Sequence, residues 1–193
     1  MQTTLFASVY NRFLGKVTDD MYMELTPADT VKDLQNLLID AIPGFEFPRA
    51  NLFDYTIKVE RINEADLLPD DFVLGTVWGE IPTIGESTTP KVLVDRSFFN
   101  AELSSEEINI LALLMKQGWV QRQVTSIENT RMKYSGSDFK FTSQANHLSK
   151  LLNLLEESRR DSFHMQRLYK RRKLSDGKFQ SNWSVLRENS AID

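Results

Sequence analysis

The sequence predicts an α+β fold: a helical body with a long C-terminal helix, a small antiparallel β insertion and an extended C-terminal arm. Three observations predict it. Helix-start signals followed by apolar residues at three- and four-residue spacing occur on both sides of residues 45–99. Most β-branched and aromatic runs, with their prolines and glycines, gather inside that interval. The final residues, Leu174 to Asp193, carry no periodicity. One domain is therefore expected over residues 1–173, with the β-rich insertion at about 45–99, followed by a docking arm over residues 174–193.

Each element has a local cause. Thr3 or Thr4 can cap a first helix, in which Leu5, Phe6, Val9, Phe13 and Leu14 recur at helical spacing until Gly15. Residues 17–25 are ambiguous, because Met21, Met23 and Leu25 alternate like a strand while Thr18-Asp19-Asp20 resembles a helix start. Thr26-Pro27-Ala28-Asp29 is a stronger start: a capping hydroxyl, a proline where the first turn needs no N–H, and an acid facing the helix dipole. That helix should reach about Ile42 with Val31, Leu34, Leu38 and Ala41 on one stripe, and Pro43-Gly44 should stop it. Strands are expected over Tyr55–Ile62, Phe72–Trp78 and Lys91–Val94, with turn signals at 68–71 and 85–90. In the first strand Tyr55, Ile57, Val59 and Arg61 would share one face and Thr56, Lys58 and Glu60 the other, which predicts one small sheet with a wet face.

Ser104 and Glu107 form a capping box that opens the next helix. The apolar positions between Ile108 and Met115 point all round it and belong in the core with Trp119, whereas beyond Gly118 only the narrow stripe Val120, Val124 and Ile127 continues. After a break at 134–137, the last helix should start near Thr142 or Ser143, carry Leu148, Leu151, Leu152 and Leu155 on one face, and run to about Lys173.

With 193 residues and 41% hydrophobic content, the chain can bury a real core. It has no cysteine, which excludes disulfides, thiolate zinc sites and thiol nucleophiles and suits a reducing cytoplasm. The longest apolar run, Ile110–Met115, is far short of the roughly 20 residues that span a bilayer. The N-terminal segment also lacks the basic start and apolar run of a secretory signal, so the chain is expected to stay where it is made. The net charge of −4 conceals an asymmetry: residues 1–107 hold 19 acids and 8 bases (−11), and residues 108–193 hold 8 acids and 15 bases (+7). A partner of matching polarity, including another copy stacked head to tail, would account for it, as would complementarity within one chain.

Catalysis is not expected. His147 and His164 lie on the last helix nearly five turns apart, about 25 Å along its axis, too far to share an ion, and both read as surface residues. The 8 glycines form no phosphate loop. The pairs Asp19-Asp20, Asp70-Asp71 and Glu106-Glu107 sit at helix starts or turns where solvated acids are usual, so a small hydrolase or transferase built on them is the weakest reading. No catalytic residue, metal or cofactor is assigned.

The unusual feature is the run Tyr169-Lys170-Arg171-Arg172-Lys173, with Arg159, Arg160 and Arg167 upstream. One or two cations would complement the end of a helix dipole. Four in a row beside aromatics point to an anionic partner, either nucleic-acid phosphate or an acidic protein groove. Phe179, Trp183, Val185 and Leu186 follow, too few for a core and too many for an idle tail, as in a docking segment. Partner contact is thus assigned to Arg167, Lys170, Arg171, Arg172, Lys173, Phe179, Trp183 and Leu186. A nucleic-acid-binding regulator that uses the basic helix end is the second reading, against which stand a sequence pI near 5.3 and the lack of helix-turn-helix spacing.

With its helical body, β insertion, acidic front half and basic, aromatic arm, the chain resembles the head-to-tail connector (adaptor or neck ring) proteins of tailed bacteriophages. Phe99-Asn100-Ala101-Glu102-Leu103-Ser104-Ser105-Glu106-Glu107-Ile108, Leu114-Met115-Lys116-Gln117-Gly118-Trp119 and Asp138-Phe139-Lys140-Phe141-Thr142-Ser143-Gln144-Ala145 are similar to stretches of phage virion proteins. The resemblance covers the helical regions and the arm, not the β region, and brings no catalytic residue. It implies a ring of copies, a dodecamer in this family, seated under the portal protein at the head–tail interface of a virion assembled in the host cytoplasm. It also implies helices lining the passage for packaged DNA, an arm reaching into the portal, and a further neck or tail protein as neighbour.

Overall fold

The computed structural model describes residues 3–17, 25–69, 71–77, 91–133, 142–175 and 178–181, and the α+β class holds. Met21 and Met23, the strand end at Trp78, the turn at 85–90, the break at 134–137, and Trp183, Val185 and Leu186 lie outside the described residues.

Three helices supply most of the core. In α1 (Phe6–Leu14), Phe6, Val9, Tyr10 and Phe13 are buried. The expected hydroxyl cap is absent, because Thr4 lies in a two-residue strand, β1 (Thr4–Leu5), and its Oγ1 accepts a hydrogen bond from the Leu103 N–H at 2.8 Å. A tertiary bond has taken the group that the local cap would use. In α2 (Pro27–Ala41), Thr26 Oγ1 accepts from the Asp29 N–H at 3.2 Å, as a cap should, and Val31, Leu34, Leu38 and Ala41 are buried. A 3-10 turn at Ile42–Gly44 ends it.

α3 (Ser105–Lys133) opens with the predicted box: the Ser104 N–H donates to the Glu107 carboxylate at 2.8 Å, and the Glu107 N–H to Ser104 Oγ at 3.3 Å. Ile110, Leu111 and Met115 are fully buried, whereas Ile108 and Trp119 pack against the core from its edge rather than inside it.

The β region forms two antiparallel sheets instead of the single one expected. The first has the order β1-β6-β2, with β2 at Tyr55–Thr56 and β6 at Phe98–Phe99. The second has the order β3-β5-β4, from β3 (Val59–Asn63), β4 (Phe72–Val77) and β5 (Lys91–Asp95). The chain passes between them at Ile57-Lys58, where the Lys58 N–H donates to Ser97 Oγ (3.0 Å) and the Arg96 N–H donates to the Lys58 carbonyl (2.8 Å). This break corrects the predicted alternation: Tyr55 packs on the core, but Ile57, Val59 and Arg61 are exposed.

A buried polar network ties these layers together. Tyr10 Oη and Gln35 Nε2 each donate to one Asp95 oxygen at 3.2 Å, and the Ser97 N–H donates to the other at 2.9 Å. Burial, then the Asp95 charge, pushes the Tyr10 phenol far above its ordinary value. The network is enclosed, with Tyr10, Asp95 and Ser97 at most 2% exposed, so it is a structural brace.

α4 (Thr142–Arg171) runs antiparallel to α3, shown by Ser162 donating to Gln117 and Tyr169 to Glu107. Its buried stripe is Leu148, Leu155, Ser158, Ser162, Gln166 and Tyr169, at the alternating spacing of a helix seam. Leu152, expected on this face, is 42% exposed. Leucine ran on beyond the seam, and periodicity alone did not show where the seam turned polar.

Candidate docking surface

The C-terminal end of α4 is clamped from two sides. Tyr169, only 2% exposed, donates its hydroxyl to Glu107 Oε1 at 2.6 Å, and the Arg49 N–H donates to the same oxygen at 3.4 Å. The carboxylate that caps the start of α3 thus also holds the end of α4. Burial first, and the Glu107 bond second, raise the Tyr169 phenol well above its ordinary value. The Arg49 guanidinium lies 4.4 Å from the centre of the Tyr169 ring and donates to the carbonyls of Tyr169 (3.4 Å) and Arg172. A cation from the loop after α2 therefore caps the last turn of α4. Gln166 completes the clamp, donating to the Gly44 carbonyl at 3.2 Å and accepting from the Glu46 N–H at 2.8 Å.

Tyr169, the residue that opens the basic run, belongs to the core, and one expectation changes here. The arm does not leave extended from Leu174: the helix ends at Arg171, and β7 (Arg172–Ser175) pairs with β8 (Lys178–Ser181) as an antiparallel hairpin, Leu174 opposite Phe179 and Lys173 opposite Gln180. A signal for it was present, since Asp176-Gly177 between the strands is a residue pair favoured in two-residue hairpin loops.

Of the assigned contact residues, Arg167, Lys170 and Arg171 are exposed. Lys170 Nζ lies 3.8 Å from the centre of the Phe47 ring, a cation–π contact at the surface. Arg172 forms an ion pair with Glu106. Lys173 and Phe179 are placed by strand register alone, and Trp183 and Leu186 lie outside the described residues.

At about 100° per residue, Leu152, Arg159, Arg160, Arg167 and Lys170 all fall within about 60° of Phe163 on the outer face of α4, with Glu156 the acid among them. Phe163 is 58% exposed at its centre. Sequence reasoning missed Phe163 and Phe47; the available signal was an aromatic placed on the polar side of an amphipathic helix.

A polar cleft of about 490 Å³ at the start of α1 is lined by Thr3, Thr4, Ser8, Asn11, Asp71 and Glu102 with apolar neighbours, and holds no histidine or cation. Among the described residues no group of His, Cys, Asp and Glu could hold a metal ion, and no helix is long and apolar enough to cross a membrane. His147 and His164 are both exposed. Comparison of the chain with protein-family models, curated proteins and solved structures found no match.

Proposed function

We propose that the chain is a non-enzymatic assembly protein that docks on a neighbouring protein subunit, as the head-to-tail connector of a tailed phage does, through the C-terminal end of α4 and the hairpin that continues it. One observation carries this reading: Arg49 already supplies the Tyr169 carbonyl in the last turn of α4, and the Arg172 carbonyl just beyond it, with a cation, which leaves Lys170 and Arg171 free of that duty. Both project from a backbone that Tyr169 and Gln166 fix in place. In this reading an acidic groove on the portal protein receives Arg167, Lys170, Arg171 and Lys173, while Phe179, Trp183 and Leu186 fill apolar pockets. Other faces would meet the next neck or tail protein and the packaged DNA.

The same cations would suit nucleic-acid phosphate, and one experiment separates the two. Lys170, Arg171 and Lys173 are replaced by Gln, sparing Arg172 because it pairs with Glu106. Binding to the purified portal assembly should weaken, the loss being largest at low salt, with melting unchanged. Sequence-selective DNA binding by the parent, abolished in the variant, would establish the regulator reading instead.

A further inference from the structure

We infer that the chain carries two different surfaces that fit one another on successive copies: the acidic, apolar end of the second sheet and the basic, aromatic outer face of α4. This goes beyond docking through the arm, shares only Arg167 and Lys170 with it, and stands whether or not a portal protein is the arm's partner.

The sheet end is built as a braced platform. Val59 and Phe72 both pair with Asp95 in the row that closes β3, β5 and β4, with Ile57 just before Val59 and Leu68 just before the turn into Phe72. Arg96, next to that row, grips Asp71 with two bonds (2.8 and 2.7 Å), Glu60 at 3.2 Å and the Asp66 carbonyl at 3.4 Å. Around this tie Leu68 is 60% exposed and Ile57 52%. Side chains this apolar, standing out of a rigid frame, are anchors awaiting a cover. Residues 51–73 together with Arg96 contain six acids and three bases.

The outer face of α4 has the opposite character. Leu152 and Phe163 are its exposed apolar residues, and four cations surround them with one acid. Complementarity within one chain consumes only part of these charges, Lys58 and Arg96 neutralising Glu60 and Asp71. The described ion pairs of the sheet end use Lys58 and Arg96, that of the helix face joins Arg160 to Glu156 one turn away, and none links the two surfaces. Two patches result, each with apolar anchors and a net charge opposite to the other's. Contact between unlike patches is heterologous, so each copy keeps one surface of each kind for the next and the array closes into a ring or continues. Its charged rim makes it weak and salt-sensitive.

Sedimentation velocity of the full chain at high concentration tests this with two neutral double variants, Ile57→Ser with Leu68→Ser and Phe163→Ser with Arg159→Gln. All four positions are exposed, and circular dichroism checks that both variants fold. The parent should self-associate at low salt and dissociate as salt rises. Each variant alone should sediment as a monomer, and an equal mixture should form dimers that grow no further, because one variant retains the helix face and the other the sheet end. A parent that stays monomeric, a variant that associates like the parent, or a mixture that stays monomeric would each overturn the inference. Both variants keep the arm, so their portal binding is read separately.

Discussion

The two halves of the α3–α4 pair are held by different means. At the inner end, Tyr169 and Arg49 share Glu107, Gln166 bonds the Gly44 carbonyl and the Glu46 N–H, and α3 is buried all round at Ile110–Met115. Along the outer stretch the seam narrows to Val120, Val124, Leu148 and Leu155, and it buries Trp119 Nε1 and Ser158 Oγ without hydrogen-bond partners, against Glu106 Oε2 alone at the inner end among the described residues. An unpartnered buried hydroxyl carries its full desolvation cost. The difference places more of the pair's side-chain hydrogen bonding where the hairpin leaves the domain than along the outer stretch.

The largest expected effect breaks the inner end. Leu111→Ala, at a fully buried position, should cost about 2–5 kcal/mol in denaturant unfolding. Melting like the parent would place this stretch of α3 outside the core. Next, Tyr169→Phe removes a buried hydroxyl from Glu107 and should cost about 1–3 kcal/mol. Hydrogen exchange should quicken at residues 172–175 while α1 and α2 remain protected; uniform quickening would mean that the clamp serves the whole domain and not the hairpin's exit. In the outer stretch the sign should reverse: Ser158→Ala deletes a buried hydroxyl that has no partner and should be neutral or stabilising by up to about 1 kcal/mol. A destabilisation larger than that would show that the hydroxyl has a partner.

A pH titration sharpens a different contrast, between this helical pair and the second sheet. Hydrogen bonding to Arg96, helped by the Leu68 N–H, holds the Asp71 carboxyl below its ordinary value, and Lys58 with Arg96 does the same for Glu60. Both shifts are downward, so the stability they confer is present above the ordinary carboxylate range near pH 4 and is lost as pH falls through the lowered values. Asp71→Asn should flatten that acid limb of the unfolding curve. An unchanged acid limb would mean that the Arg96 tie adds nothing to folding.

What could be read from the sequence was local. Thr26 with Asp29, and Ser104 with Glu107, are three residues apart, so their caps are visible without knowing the fold. The groups that decided otherwise are distant: Thr4 meets Leu103 across 99 positions and Arg49 meets the Tyr169 carbonyl across 120. Such bonds depend on strand register and helix packing, which composition does not encode. The buried Tyr10–Asp95 contact, 85 positions apart, was hidden for the same reason. The hairpin differs, because Asp176-Gly177 was a local signal, masked by polar flanks without strand-like alternation. For the candidate surface, the cations were legible as a run, but which of them the fold consumes, as it does Arg172, emerged only with Glu106 in place.

The most direct test of the docking account removes the arm and keeps the clamp. A chain ending at Lys173 retains Arg172 on Glu106 and Tyr169 on Glu107 but lacks Phe179, Trp183 and Leu186. Its circular dichroism, melting temperature and attachment to the purified portal assembly are measured beside those of the full chain. The account predicts unchanged helix content and melting with attachment lost, and Trp183→Ala in the full chain showing part of the same defect. Attachment at the parental level would show that the arm is not the joint, and unfolding of the shortened chain would show that Phe179 and Trp183 belong to the subunit's own core.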